Sequence, residues 1–147
     1  MSIARSRSLR RIPAARLLLL ALTSLLLLRT RLAVSLLPWR RFVARLDPPA
    51  GRWLSRFDAR ELEWAVRAAS RLVPRTTCLT QALTLNHLLH RAGCASRVRI
   101  GVARRSGRFA AHAWVEHGGV PLLSRPDEIE PYTAFLTWPP ARPDLCQ

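Results

Sequence analysis

Two turn signals, Ser106-Gly107 and Gly118-Gly119, do most to limit how this chain can fold. A glycine-containing pair between apolar runs closes a tight hairpin, because glycine takes positive φ without steric cost. The runs on either side read as strands. Arg97-Val98-Arg99-Ile100-Gly101-Val102 alternates, Phe109 to Glu116 forms a second run, and Val120-Pro121-Leu122-Leu123 a short third. The expectation is an antiparallel meander, with His112 on the same face as Ala110 and Trp114.

Helical patterns precede the strands. Asp58 is suited to an N-cap, with Glu61 in the capping-box position. Leu62, Ala65, Val66, Ala69 and Leu72 then recur at spacings of three and four, and Pro74 stops the helix. A second helix starts at Thr76 or Thr77 and carries Leu79, Ala82, Leu83, Leu85, Leu88 and Leu89, with Gly93 as its C′ residue. Helices followed by an antiparallel sheet make an α+β fold.

Cys78 falls in the first turn of that second helix. Unpaired amides and the helix dipole favour an anion there, which brings a thiolate within reach near neutral pH, and Arg75 adds to the effect. The plain alternative is a small apolar residue packing a helix start. His112 stands between Ala111 and Ala113, with Trp114 two residues on. Small neighbours leave room for a helix end to approach an imidazole that could take a thiol proton. A structural histidine is the alternative.

The first 46 residues differ in kind. No acidic residue occurs before Asp47, and a run from Leu17 to Leu28 is interrupted only by Thr23 and Ser24. Arg29 and Arg31 follow directly, with no small-x-small cleavage site, which argues against a signal peptide. The uncharged run is short of the roughly 18–20 residues that span a bilayer. A helix that packs or lies on a membrane surface fits better, with signal and anchor as alternatives. Asp47-Pro48-Pro49-Ala50-Gly51 reads as a linker. The boundaries are therefore a helical segment at 1–46, a core at 52–137 and a loosely ordered tail at 138–147.

The chain has 24 basic residues against 9 acidic ones, a net charge of +15, and every basic residue is Arg. An all-Arg, Leu- and Ala-rich text reflects a GC-rich coding bias, which weakens the step from charge to nucleic acid. No interleaved aromatic platform or RNA-binding motif is present, and no nucleic-acid partner is expected. Three widely spaced cysteines, Cys78, Cys94 and Cys146, fit neither a disulfide framework nor a four-ligand zinc site, and suit a reducing cytoplasm. His87 and His90 with Cys94 lack a fourth ligand at the usual spacing, and a solvated helix face is the simpler reading.

Taken together, Thr77-Cys78-Leu79-Thr80-Gln81-Ala82-Leu83, Leu88-Leu89-His90-Arg91-Ala92-Gly93, Arg99-Ile100-Gly101-Val102 and Phe109-Ala110-Ala111-His112-Ala113-Trp114-Val115-Glu116 resemble the transglutaminase-like core of the lasso-peptide leader peptidases. The close match covers about 50 residues. It implies a papain-like cysteine hydrolase core with the nucleophile, Cys78, at a helix N-terminus on an antiparallel sheet, and His112 as base. It also implies a precursor peptide as substrate, a separate leader-binding protein and a lasso cyclase as partners, and no cofactor. The family's third member is an Asp about a dozen residues after the His. Here that count reaches Leu123-Ser124-Arg125, with no carboxylate. Asp127 is the nearest Asp and could serve if the chain bends at Pro126. Ser124, a backbone group, or no third member are the alternatives. Glu116 lies roughly 13 Å along the strand from His112 and is too far. A catalytically silent peptide-binding scaffold of the same fold is the runner-up function.

Overall fold

A computed structural model describes residues 14–36 and 53–138. The linker expected at Asp47–Gly51 and the tail after Trp138 lie outside the described residues. The elements are α1 (Ala14–Leu36), a short 3-10 turn (Leu54–Arg56), α2 (Ala59–Leu72), α3 (Cys78–Arg91), β1 (Arg97–Arg105), β2 (Arg108–His117), β3 (Val120–Leu122), α4 (Pro126–Ile129) and β4 (Thr133–Trp138). Four antiparallel strands form one sheet in the order β3-β2-β1-β4. Helix α3 packs on β2 and β1, and α1 crosses both α2 and α3. The fold is α+β with the meander as expected, plus an added edge strand.

Local chemistry explains the element boundaries. Asp58 caps α2 by accepting from Glu61 N at 2.8 Å, while the Glu61 side chain accepts from Asp58 N at 3.3 Å. Thr77 caps α3, its hydroxyl accepting from Thr80 N at 3.2 Å, so Cys78 is the first helical residue. Gly93 has φ +85° and closes the far end of α3, with Cys94 N donating to Leu89 O. Both hairpin pairs, Ser106-Gly107 and Gly118-Gly119, have positive φ at each residue, which matches the right-handed twist of the strands they join.

The core lies between the helices and one face of the sheet. Leu62, Val66, Leu83, Leu85, Leu89, Val98 and Val115 are essentially fully buried there with Leu19 of α1. Each such side chain contributes about 1.5–3 kcal/mol relative to exposure. Leu72, expected on the packed face of α2, is instead 64% exposed. It is the last helical residue, and Val73 takes its place in a small cluster with Leu27 and Ala69.

Helix α1 continues without interruption through Arg29 and Arg31. Its 23 residues are long and apolar enough to cross a membrane. The helix runs on past the uncharged stretch, so its length does not separate a packed or surface-lying helix from a spanning one. One side of the helix, carrying Leu19, Thr23, Leu27 and Thr30, is nevertheless buried against the rest of the fold.

Candidate active site

Strand β2 positions His112 by its pairing with β1, where Gly101 stands opposite. A Cβ on Gly101 would sit 3.0 Å from Trp114 Cη2 and 3.0 Å from Tyr132 Cβ. A side chain there would crowd the Trp114 ring, which lies near-parallel to the imidazole at 6.2 Å, while Tyr132 flanks it at 5.4 Å. Two rings thus restrict the His112 side chain. Ala113 and Val115, alternating with it, join the core shared with α3.

His112 Nε2 lies 2.7 Å from Ser124 Oγ, and Ser124 is buried. The carboxylate expected at this position, Asp127, is elsewhere. Its Oδ2 accepts from Arg125 Nη2 at 3.0 Å, with 68% of the side chain exposed. The reason is local. The β2–β3 pairing runs His117↔Val120, Glu116↔Pro121 and Val115↔Leu122, and would continue to Arg125 opposite His112. Leu123 breaks the strand with φ +67°, and the neighbouring serine reaches the imidazole instead. Pro126 does bend the chain, but it opens α4 and carries Asp127 into the exposed first turn of that helix.

Glu63 of α2, which the sequence pattern does not single out, holds this bend. Its side chain is buried, and Oε1 accepts from Leu123 N at 2.9 Å. Arg67 and Arg60 pair with the same carboxylate at 3.0 and 3.2 Å. A leucine at positive φ costs on the order of 1 kcal/mol or more, and a charge-assisted hydrogen bond at the strained amide offsets it. Glu63→Ala is expected to lower unfolding stability in urea by about 2–3 kcal/mol, since it leaves the Leu123 amide without its acceptor. Glu63→Gln keeps a carbonyl acceptor and should lose about half as much. Equal losses would mean that the Arg pairs, not the Leu123 contact, carry the effect.

Burial lowers the His112 pKa below its ordinary value of 6.5, against an opposing upward pull from Glu128. The imidazole is therefore neutral at pH 7, as a proton acceptor must be. Its Nδ1 has no hydrogen-bond partner among the described residues, which leaves that nitrogen open. Cys78 is half-buried, reduced and packed at the edge of the main core. Helix α3 runs against β2, but no hydrogen bond joins Cys78 Sγ to His112 among the described residues. Cys78 N–H and Leu79 N–H, at the free start of α3, have no backbone acceptor there either. Arg75, just ahead, adopts φ +58° in the turn between α2 and α3.

The other histidines of α3 serve packing. Burial, then Arg91, Arg29 and His90, lower the His87 pKa to about 4. His90 Nε2 lies 3.0 Å from the Ser96 carbonyl, to which it donates. No group of three metal-ligating side chains occurs among the described residues.

Comparison with curated proteins and with solved structures returned no match. The family model described as the transglutaminase-like superfamily matches residues 24–137, well over half of the chain. That span begins inside α1, runs through Cys78, His112 and Ser124, and ends in β4. Members of this family are usually cysteine peptidases or transferases. The chain belongs to the transglutaminase-like superfamily.

Proposed function

We propose that the chain is a cysteine peptidase that removes the leader from a ribosomally made precursor of the lasso-peptide type. The observation that carries the reading is the His112–Ser124 contact at 2.7 Å. It occupies Nε2 and leaves Nδ1 of a neutral imidazole for a thiol proton, on a strand packed against the helix that begins with Cys78. The motif resemblance at Thr77–Leu83 and Phe109–Glu116 supplies the substrate class.

In this reading Nδ1 takes the Cys78 proton as Sγ attacks the scissile carbonyl. The Cys78 N–H, at the start of α3, would bind the resulting oxyanion. The protonated His112 then gives its proton to the leaving amine, and water, deprotonated by the same nitrogen, hydrolyses the thioester. Ser124 Oγ accepts from Nε2–H throughout and fixes the tautomer. Unlike a carboxylate it adds no charge to steady the imidazolium.

Leader recognition is assigned to a separate small protein, and ring closure of the released core peptide to a separate cyclase. With recognition in a separate protein, specificity would come from raising the leader's effective concentration at Cys78. Precursor incubated with this protein and the leader-binding protein should show a single internal cleavage by mass spectrometry. Omitting the binding protein at low substrate concentration is expected to slow cleavage by about 10²-fold or more. Full-rate cleavage by this protein alone would refute the partner assignment.

One alternative has an observation of its own. Ser124 stands where the family carboxylate is expected, which also fits a silent peptide-binding scaffold. Precursor binding without cleavage, in the presence of the partner, would establish that reading instead.

A further inference from the structure

The outward side of α1 is a stripe of leucines with the exposed Arg29 set among them. Leu18, Leu25 and Leu32 follow one another two turns apart, with Leu22, Leu28 and Leu36 beside them, and all six are 40–77% exposed. Soluble surfaces seldom leave an apolar patch of that length uncovered, about 27 Å from Leu18 to Leu36. The opposite side of the same helix is committed to the core through Leu19 and Leu27, both fully buried. Lipid cannot surround α1 without pulling those residues out of the fold, so α1 does not cross a bilayer while the domain is intact. It presents one face.

Charge selects what covers that face. Residues 1–46 contain ten Arg and no acidic residue. Arg5, Arg7, Arg10 and Arg11 precede the helix in sequence, Arg40, Arg41 and Arg45 follow it, and the exposed Arg29 lies within it. A second copy of the chain would bring the same cations against these, which disfavours self-association through α1. An anionic lipid surface meets both features. Its headgroups attract the arginines, and its acyl boundary accepts a leucine stripe lying in the plane of the membrane.

We propose that α1 docks the folded domain flat on an anionic membrane surface, with Leu18, Leu25 and Leu32 entering the headgroup boundary. The proposal is independent of the peptidase reading.

The test uses purified full-length protein and sedimenting vesicles, either pure phosphatidylcholine or phosphatidylcholine with phosphatidylglycerol at a molar ratio of about 3:1. The protein should pellet with the anionic vesicles and stay largely in solution with the neutral ones. Raising salt from about 0.1 to 0.5 M should release it, because screening weakens attraction at the surface. Leu25→Gln with Leu32→Gln changes two exposed residues and should weaken binding about 10–100-fold. Circular dichroism melting would verify that the double variant is folded. Wild-type protein provides the salt measurement even if the variant is not. Equal binding to both vesicle types, no binding to either, or a dimer that the double variant dissolves would each overturn the proposal.

Discussion

Cys78→Ala is expected to eliminate precursor cleavage, a loss on the order of 10⁴-fold or greater, while leaving the fold intact. The thiol forms the acyl intermediate in this reading, and the Ser124 hydroxyl, buried and engaged at Nε2, does not substitute for it. Truncating a half-buried cysteine to Ala removes a single atom at the edge of the core, so the thermal midpoint should change little. The same residue can be examined without a substrate. Cys78 and Cys94 have similar partial exposure and sit at opposite ends of α3, Cys78 at the amide end and Cys94 beyond the carbonyl end. The positive end of the helix dipole lies at the first and the negative end at the second. Iodoacetamide at pH 7 should mark Cys78 on the order of tenfold faster than Cys94 or Cys146, as read by peptide mapping. Equal labelling of all three in the folded protein would sink the assignment of Cys78 as the nucleophile.

What the sequence made legible is what short-range chemistry decides. The Asp58–Glu61 box, the Thr77 cap and the two hairpin pairs all form as their residue types demand. Each is settled within four residues, and together they place Cys78 at a helix start and His112 on the middle strand of a meander. The parts that escaped depend on distant partners. Strand β4 pairs with β1 as an edge, and four of its six residues are exposed, so Thr133–Trp138 carries no clear alternation of apolar and polar residues. Its pairing also slips at Ile100/Gly101, a bulge that no local pattern announces. The bend at Leu123 is held by Glu63, sixty residues earlier in the chain. Counting along a regular hairpin therefore reached the right neighbourhood, Ser124 or Arg125, but could not choose between them. Asp127 was attractive only as the nearest acid, and in the structure Arg125 takes it.

The contact that replaced Asp127 fixes the order of a second set of variants. His112→Ala removes the proton acceptor and is expected to cost about 10³–10⁴-fold in turnover. Ser124→Ala removes only the group that holds Nε2, while Trp114 and Tyr132 continue to restrict the ring, so a loss of about tenfold is expected. Asp127→Asn should cleave at the wild-type rate, because its carboxylate faces Arg125 in solvent. Ser124→Asp restores charge beside the imidazole. A carboxylate there favours the imidazolium that forms when the thiol is deprotonated, and turnover near neutral pH should rise about tenfold. The pH dependence separates orientation from charge. In the wild type, burial holds the His112 pKa below 6.5, so the neutral base persists into mildly acidic solution and its acid limb in kcat/KM lies below that value. Ser124→Asp stabilises the protonated ring, raises its pKa and must shift that limb to higher pH. Ser124→Ala adds no charge and should lower the rate with little movement of the limb. If Asp127→Asn is impaired while Ser124→Ala cleaves normally, the hydrogen bond to Ser124 is not the one that orients the base. If His112→Ala alone is impaired, the site works as a Cys–His dyad, its imidazole held by the two aromatic rings.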